Sequence, residues 1–337
     1  MTAERRALVS GAGGFIGHHL VSFLKGKGYW VRGVDLKEPE YAPSEADEFE
    51  VLDLRLREAC LRATERVHDV YALAADMGGM GFISANHAQI LHNNSLIDLH
   101  TLRSAHENGV ERLLYTSSAC IYPEYLQEEA EIVPLKEDDA YPALPQDAYG
   151  WQKLISERLC AHYRDEFGLQ TRVVRFHNIF GPLGTWTGGR EKAPAALCRK
   201  VAIAKLMTNP DVEIWGDGEQ TRSFCYIDDC VEGLHRLMDS DYAEPLNLGQ
   251  DRMITVNKLA DLIAEIAGVE IVKKHIEGPQ GVRGRNSDNT RLREVLAWEP
   301  EVTLEEGLAR TYSWIEQQVA AGLSSTDAAP LEPAFDS

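Results

Sequence analysis

The chain has 337 residues, 44% of them hydrophobic and 26% charged, the make-up of an ordinary globular protein. Its 34 basic and 53 acidic residues leave a formal charge of −19, spread along the chain. That balance excludes the basic footprint of a nucleic-acid binder, and no run approaches the roughly 18 apolar residues that would make a membrane span. Met1 to Arg6 has no signal-like apolar core, and the six cysteines show neither a C-x-x-C pair nor zinc-ligand spacing. A cytoplasmic protein without a metal site is expected, with no nucleic-acid or membrane partner.

Taken in chain order, Ala7–Ser10 reads as a buried strand and Phe15–Lys25 as a helix, with Gly11, Gly14 and Gly17 around the turn between them. Glycine at 11 and 14 allows a sharp turn beside a pyrophosphate, and glycine at 17 allows close helix–sheet packing. The N–H groups at the helix start, around Phe15 and Ile16, and the positive end of the helix would face the phosphates. Trp30–Asp35 reads as the second strand. Asp35 is spaced from the glycines so as to bond the adenosine ribose, and its charge would repel a 2′-phosphate, so the cofactor is expected to be NAD. Asp53 and Leu54, after the next strand, are expected near the adenine.

Val67–Leu73 and Arg112–Thr116 read as further strands with a helical pattern from Asn94 to Asn108 between them. Tyr149–Phe167 is a second strong helical pattern, followed by the strand Thr171–Phe176. Strands alternating with helices predict an α/β fold, a Rossmann-type doubly wound parallel sheet with right-handed crossovers. Apolar runs without polar alternation fit strands covered on both faces. Residues 182–195 are rich in Gly, Pro, Trp and Thr and suggest a functional loop. Beyond them come short strands, a helix Thr255–Gly268 and a final helix from Leu304 to about Val319. The division expected is an NAD-binding Rossmann domain over 1–181, rejoined by about 222–248, and a smaller C-terminal substrate-binding α/β lobe over 182–319. Residues 320–337 read as a flexible tail.

Tyr149 and Lys153 are four apart on one helix and project from one face. An ordinary phenol has a pKa of about 10. A neighbouring ammonium and the cationic ring of oxidised NAD are expected to lower it. Tyr149 would then accept a sugar hydroxyl proton as a hydride leaves, with Ser118 holding the same hydroxyl. His177 reads as a structural or loop-orienting residue in preference to a proton carrier.

At these motifs, and through Ala74–Ile83, Ser117–Glu124, Pro145–Gly150, Arg175–Pro182, Gly188–Ala195, Trp215–Phe224 and Gly281–Asp288, the chain resembles the extended short-chain dehydrogenase/reductases. Within them it is similar to the NAD-dependent sugar-nucleotide epimerases that act on GDP-mannose, and the likeness runs from about Ala7 to about Glu316. The resemblance implies a GDP-sugar, GDP-mannose, as substrate and Cys120 and Lys192 as an acid/base pair for inversion. It implies Gly78, Ser118, Asn178, Glu191, Lys192, Lys200, Gln220 and Arg285 as sugar-nucleotide contacts and adds Ala74 to the cofactor set. It also implies a homodimer, paired through the helices from about Asn94 and Tyr149 across a two-fold axis. Ser10 and Phe180 depart from the residues usual at their positions, and the tail is the chain's own.

The chemistry is coherent. Oxidation at C4 makes the C3 and C5 protons α to a ketone, and the enolate formed on deprotonation can be stabilised electrostatically. Inversion then needs a base on one face of the ring and an acid on the other, which a thiol beside Ser118 and an amine on the 182–195 loop could supply. Arg190, Lys200, Arg222, Arg283 and Arg285 form a basic set suited to a diphosphate in an otherwise acidic chain. Three other readings stay open: inversion at C5 alone, an NADPH-consuming epimerase–reductase, and an NAD-sensing binding protein without catalysis. Asp35 disfavours the second, and the Tyr149/Lys153 pair disfavours the third. A 4,6-dehydratase would carry an acidic pair where Ala119 and Cys120 stand.

Overall fold

The computed structural model describes residues 4–278 and 281–324. Seven strands make one parallel sheet in the order β11-β6-β5-β4-β1-β2-β3. They are β1 (Arg6–Ser10), β2 (Trp30–Asp35), β3 (Glu48–Val51), β4 (Asp69–Ala72), β5 (Arg112–Ser118), β6 (Gln170–Phe176) and β11 (Pro245–Leu248). Strand alternation explains the unbroken apolar runs. In β1, Ala7 and Val9 join a core with Leu20, Val21 and Leu24 of α1 (Phe15–Gly26), while Leu8 joins a second core on the opposite face. That second core holds Cys60 and Ala63 of α2 (Arg57–Ala63), Leu102 and Ala105 of α4 (His87–Glu107) and Cys160 of α5 (Ala148–Phe167). A short helix, α3 (Met80–Ala85), precedes α4.

After β6 the chain leaves the sheet through β7 (Ile179–Phe180) and a loop, then forms α6 (Ala193–Met207) and β8 (Asp211–Trp215). It continues through β9 (Thr221–Ser223), β10 (Cys225–Tyr226), which pairs with β7, and α7 (Ile227–Asp239), which packs on α1. After β11 come β12 (Met253–Thr255), α8 (Val256–Ala267), β13 (Val272–Ile276), β14 (Gly284–Arg285), α9 (Thr290–Leu296) and α10 (Leu304–Ser324). Strand β9 pairs with β12 and β14, and β8 pairs with β13. Helices α6, α8 and α10 pack together beside these small sheets.

Two expected boundaries are corrected. Helix α4 begins at His87 and not at Asn94, because its first turns bury polar residues: Asn94 is fully buried and holds the backbone of Asp76 through Nδ2 and Oδ1. Helix α10 continues past Val319 to Ser324, so the first part of the expected tail is helical, as its alanines favour. The rest of that tail, 325–337, lies outside the described residues.

Candidate active site

The carboxyl ends of the central strands open into a cavity of about 750 Å³ that reaches from the glycine turn to β8 and β14. At one end Gly11, Gly14, Phe15, Ile16 and Gly17 line it. Helix α1 has Gly14 at its N-cap and no capping side chain, so its first N–H groups are left for a ligand. A Cβ on Gly17 would stand 2.1 Å from Gly11 O, so only glycine lets this helix start against the turn. These donors suit the pyrophosphate of a dinucleotide. Ser10 Oγ accepts from the backbone N–H groups of Leu73 and Ala74 at 3.1 and 3.2 Å, tying β1 to the segment after β4.

Asp35 ends β2 and accepts from Gly13 N at 3.0 Å and Leu36 N at 2.6 Å, while burial raises its pKa. It adjoins a small recess lined by Gly13, Lys37 and Tyr41. Asp53 is engaged by Arg55 at 2.7 Å, which holds its carboxyl below the usual range. Leu54 is buried in the core. Asp53, Leu54 and Ala74 are not among the residues that line the main cavity.

Deeper in the cavity, Asp147 caps α5 by accepting from Gly150 N at 2.8 Å, and Tyr149 and Lys153 follow on the buried face. Ser118 stands beside the Tyr149 hydroxyl and works against the rise of its pKa. Lys153 Nζ donates to Thr116 O at 2.9 Å and lies 5.8 Å from the Tyr149 ring centroid. The part of the expected lowering of the phenol pKa that was assigned to Lys153 is not found. Burial pushes Tyr149 up, the Cys120 sulfur adds to this, and burial lowers the Lys153 ammonium. Dehydration outweighs the pull that the lysine was expected to exert.

Cys120 sits in the 3₁₀ turn Ala119–Ile121 that follows β5, with its N–H donated to Ser118 Oγ at 3.2 Å. Arg285 Nη1 donates to Cys120 Sγ at 3.3 Å, and Arg285 Nε to Gln127 Oε1 at 2.6 Å. Lys192 is the N-cap of α6 and lines the same cavity. It keeps solvent access from within the cleft, yet the protein around it lowers its ammonium pKa, and Cys120 opposes that shift. The loop before it is anchored. Gly79 N donates to Arg190 O at 3.1 Å, and the Arg190 guanidinium lies 3.9 Å from the Phe82 ring centroid. Glu191 is paired with Arg199 at 3.1 Å, their side chains only 7% and 4% exposed, so it is a structural partner as well as a cavity residue.

Of the basic set, Arg190, Lys200, Arg222 and Arg285 line the cavity. Lys200 Nζ donates to Glu213 O at 2.9 Å. Arg222 donates to Thr221 O and Val282 O, both at 2.7 Å, and burial, with Arg285 beside it, lowers its pKa to about 9. Arg283 turns away to grip Asp217 at 2.7 and 2.9 Å. Gly78, Asn178 and Gln220 line the cavity; Asn178 adopts a left-handed φ of 46° and donates to Ser223 O at 2.9 Å. Gln220 Nε2 donates to Trp215 O at 3.1 Å. His177 is fully buried against Asn247 at 3.0 Å, with a pKa lowered to about 3 by burial, and is not among the lining residues.

Sequence reasoning missed Gly150, whose lack of a side chain brings α5 against the Cys120 turn, and it missed the Glu191–Arg199 pair. A glycine placed directly after the tyrosine of a helical pattern was the available signal for the first. Nothing local marks the second. Among the described residues no cluster of His, Cys, Asp or Glu could hold a metal, and no helix is long and apolar enough to cross a membrane.

A doubly wound parallel sheet, an uncapped helix start at a glycine turn and a buried Tyr149/Lys153 pair define a Rossmann-type, dinucleotide-dependent enzyme. The chain belongs to the NAD dependent epimerase/dehydratase family, which matches residues 7–249. It is 51% identical over 314 residues to the GDP-mannose 3,5-epimerase of Arabidopsis thaliana, covering 92% of this chain and 82% of that protein. It is 28% identical to the GDP-L-fucose synthase of Escherichia coli, over 93% of this chain and 97% of that one. Among solved structures it resembles the UDP-glucose 4-epimerase of Thermotoga maritima, with a TM-score of 0.84, 28% identity and coverage of 93% of this chain and 99% of that one. The cofactor is NAD, as the family's description has it.

Proposed function

We propose that this enzyme epimerises GDP-mannose at C5 and C3, giving GDP-L-gulose and GDP-L-galactose. One observation carries the chemistry: Cys120, Lys192, Ser118 and Tyr149 all open into one cavity. NAD supplies reversible hydride acceptance at C4. Tyr149, with Ser118 beside it, takes the C4 hydroxyl proton as its phenolate, a form that the cationic ring of oxidised NAD would favour, and later returns it; Lys153, donating to Thr116 O, fixes the floor of that site. Cys120 and Lys192 then remove and deliver protons at the carbons beside C4, one from each face of the sugar ring. The pKa of Lys192, lowered by its surroundings, favours its part in proton exchange. Arg190, Lys200, Arg222 and Arg285 supply the charge that a diphosphate requires. Glu191, Asn178, Gln220 and Gly78 shape the sugar-nucleotide pocket, and Asp35 holds the ribose of NAD.

In this reading the seven-stranded sheet carries the cofactor and residues from the 182–319 region close over the sugar nucleotide. The enzyme works in the cytoplasm as a homodimer. The outer faces of α4 and α5 leave Leu91, Leu99, Trp151 and Ile155 exposed, and an isologous contact would cover them. Light scattering at micromolar concentration should give a dimer mass, and a monomer would overturn that assignment. The activity itself is tested by incubation with GDP-mannose in D2O, with deuterium read at C3 and C5 by NMR. Label at both carbons, without consumption of added NADPH, is expected. Label at C5 alone over many turnovers would make the enzyme a 5-epimerase, and label at neither would overturn the reading.

A further inference from the structure

Lys153 is a buried cation whose Nζ makes a hydrogen bond to a carbonyl, Thr116 O at 2.9 Å, and stands 4.7 Å from the centroid of the Tyr115 ring. At the hydroxyl of that ring lies Asp98 of α4, only 5% exposed. Its Oδ2 accepts from the Tyr115 hydroxyl at 2.7 Å, from Gln152 Nε2 at 2.6 Å and from Ser156 Oγ at 2.7 Å. Three donors converging on one oxygen is the behaviour of a carboxylate anion. All three are neutral, and a buried anion is costly without a compensating charge.

Among the described residues packed around it, Lys153 is the cation that answers it. On α5, Glu157 is already engaged by Arg175 of β6 at 2.9 and 2.7 Å and by Ser117. Tyr149 and Cys160 of α5 and Tyr115 of β5 are neutral acids in this setting, each raised by burial. Lys153 lies between Gln152 and Ser156 on the same helix, with its ammonium over the Tyr115 ring whose hydroxyl reaches the carboxylate. A phenol that donates to an anion has a more electron-rich ring, which strengthens its hold on a cation over the face.

We propose that Asp98 is a positioning residue of the hydride-transfer site, which keeps Lys153 charged and in place through Tyr115. The inference rests on the role given above to Tyr149 and Lys153. Burial lowers the Lys153 ammonium, and Asp98 is foremost among the groups that oppose the shift. Asp98 also raises the Tyr149 phenol, so its benefit must come through the lysine and not through the phenol directly. Gln152 and Ser156 hold the carboxylate in register with α5.

The test uses the NAD-loaded enzyme and its Asp98→Asn and Tyr115→Phe variants. The Lys153 ¹³Cε resonance, located by its loss in Lys153→Arg, is titrated by NMR. Single-turnover NADH formation is followed against pH, with NAD content and far-UV circular dichroism as controls. In Asp98→Asn the Lys153 midpoint should fall by about one pH unit, a tenfold change in its ionisation. The alkaline limb of NADH formation should move down with it. Tyr115→Phe should shift both in the same direction by less. A folded, NAD-loaded Asp98→Asn enzyme with the wild-type Lys153 midpoint overturns the proposal. If that variant does not fold, Tyr115→Phe decides alone: a lowered midpoint supports the proposal and an unchanged one overturns it. Failure of the underlying site reading looks different, because NADH formation would then survive in Lys153→Met while the titration shift remained.

Discussion

Gly150 offers a perturbation whose sign opposes the usual rule. Replacing glycine by alanine inside a helix ordinarily stabilises it by about 1 kcal/mol. Here an alanine Cβ would lie 2.2 Å from Cys120 O, 3.0 Å from Cys120 C and 2.9 Å from Pro145 Cβ. Comfortable heavy-atom contacts begin near 3.5 Å, so relief requires a displacement of about 1 Å. The closest neighbour is backbone, and no rotamer change can clear it. Overpacking of this kind costs about 1–3 kcal/mol, so the helix gain is cancelled or reversed. The strain falls on the turn that carries Cys120 and on the start of α5, which carries Tyr149. A 1 Å misplacement of reacting groups costs about 10²-fold in rate. Gly150→Ala should therefore retain NAD, melt no higher than wild type, and lose about two orders of magnitude in deuterium incorporation from D2O. A variant with a raised melting temperature and exchange within twofold of wild type would refute the argument.

Two further outcomes are expected. Tyr149→Phe should abolish both transient NADH and product, whereas Cys120→Ala should still form NADH from GDP-mannose while exchange at C5 collapses; equal loss of both signals in the two variants would remove that division of labour. His177, lowered by burial to about 3 against an unfolded value near 6.5, is neutral in the native state, so the unfolded chain binds the extra proton between those values. Stability should thus fall with pH below about 6.5, by roughly 2 kcal/mol at pH 5 from this group alone. Urea unfolding of His177→Gln should show a smaller drop between pH 7 and pH 5 by about that amount, and an identical drop would contradict it.

The sheet and its glycine turn were readable because their signals are local. β1 and β2 are short apolar runs, and the turn needs particular residues at particular spacings. The start of α4 was missed because Gln89, Asn93 and Asn94 spoil its apolar period while serving the loop at Asp76. Arg283 and Arg285 look equivalent in sequence, yet one grips Asp217 and the other reaches Cys120, since their partners lie far away along the chain. The pull of Lys153 on Tyr149 was misjudged for a related reason. Spacing places a lysine near a tyrosine, but the depth at which both are buried depends on how α4, α5 and β5 pack together. Asp98 belongs to the same class, a polar residue on a helix whose meaning appears only when Tyr115, Gln152 and Ser156 converge on it.

Strand β11 pairs with β6 along the outer edge of the large sheet, although α6, β8 and β9 come between them in the chain. The polypeptide therefore goes out, returns and goes out again, so its two parts are interlaced and not strung in series. A gene fragment ending near Gly181 would leave β6 as a bare edge, with a full row of unpaired backbone groups open to foreign strands. Such a fragment is an invitation to aggregation and not a portable NAD module. The same threading limits how new specificities arise on this scaffold. The chain between β6 and the C-terminus cannot be exchanged as a single cassette, because β11 within it completes the large sheet.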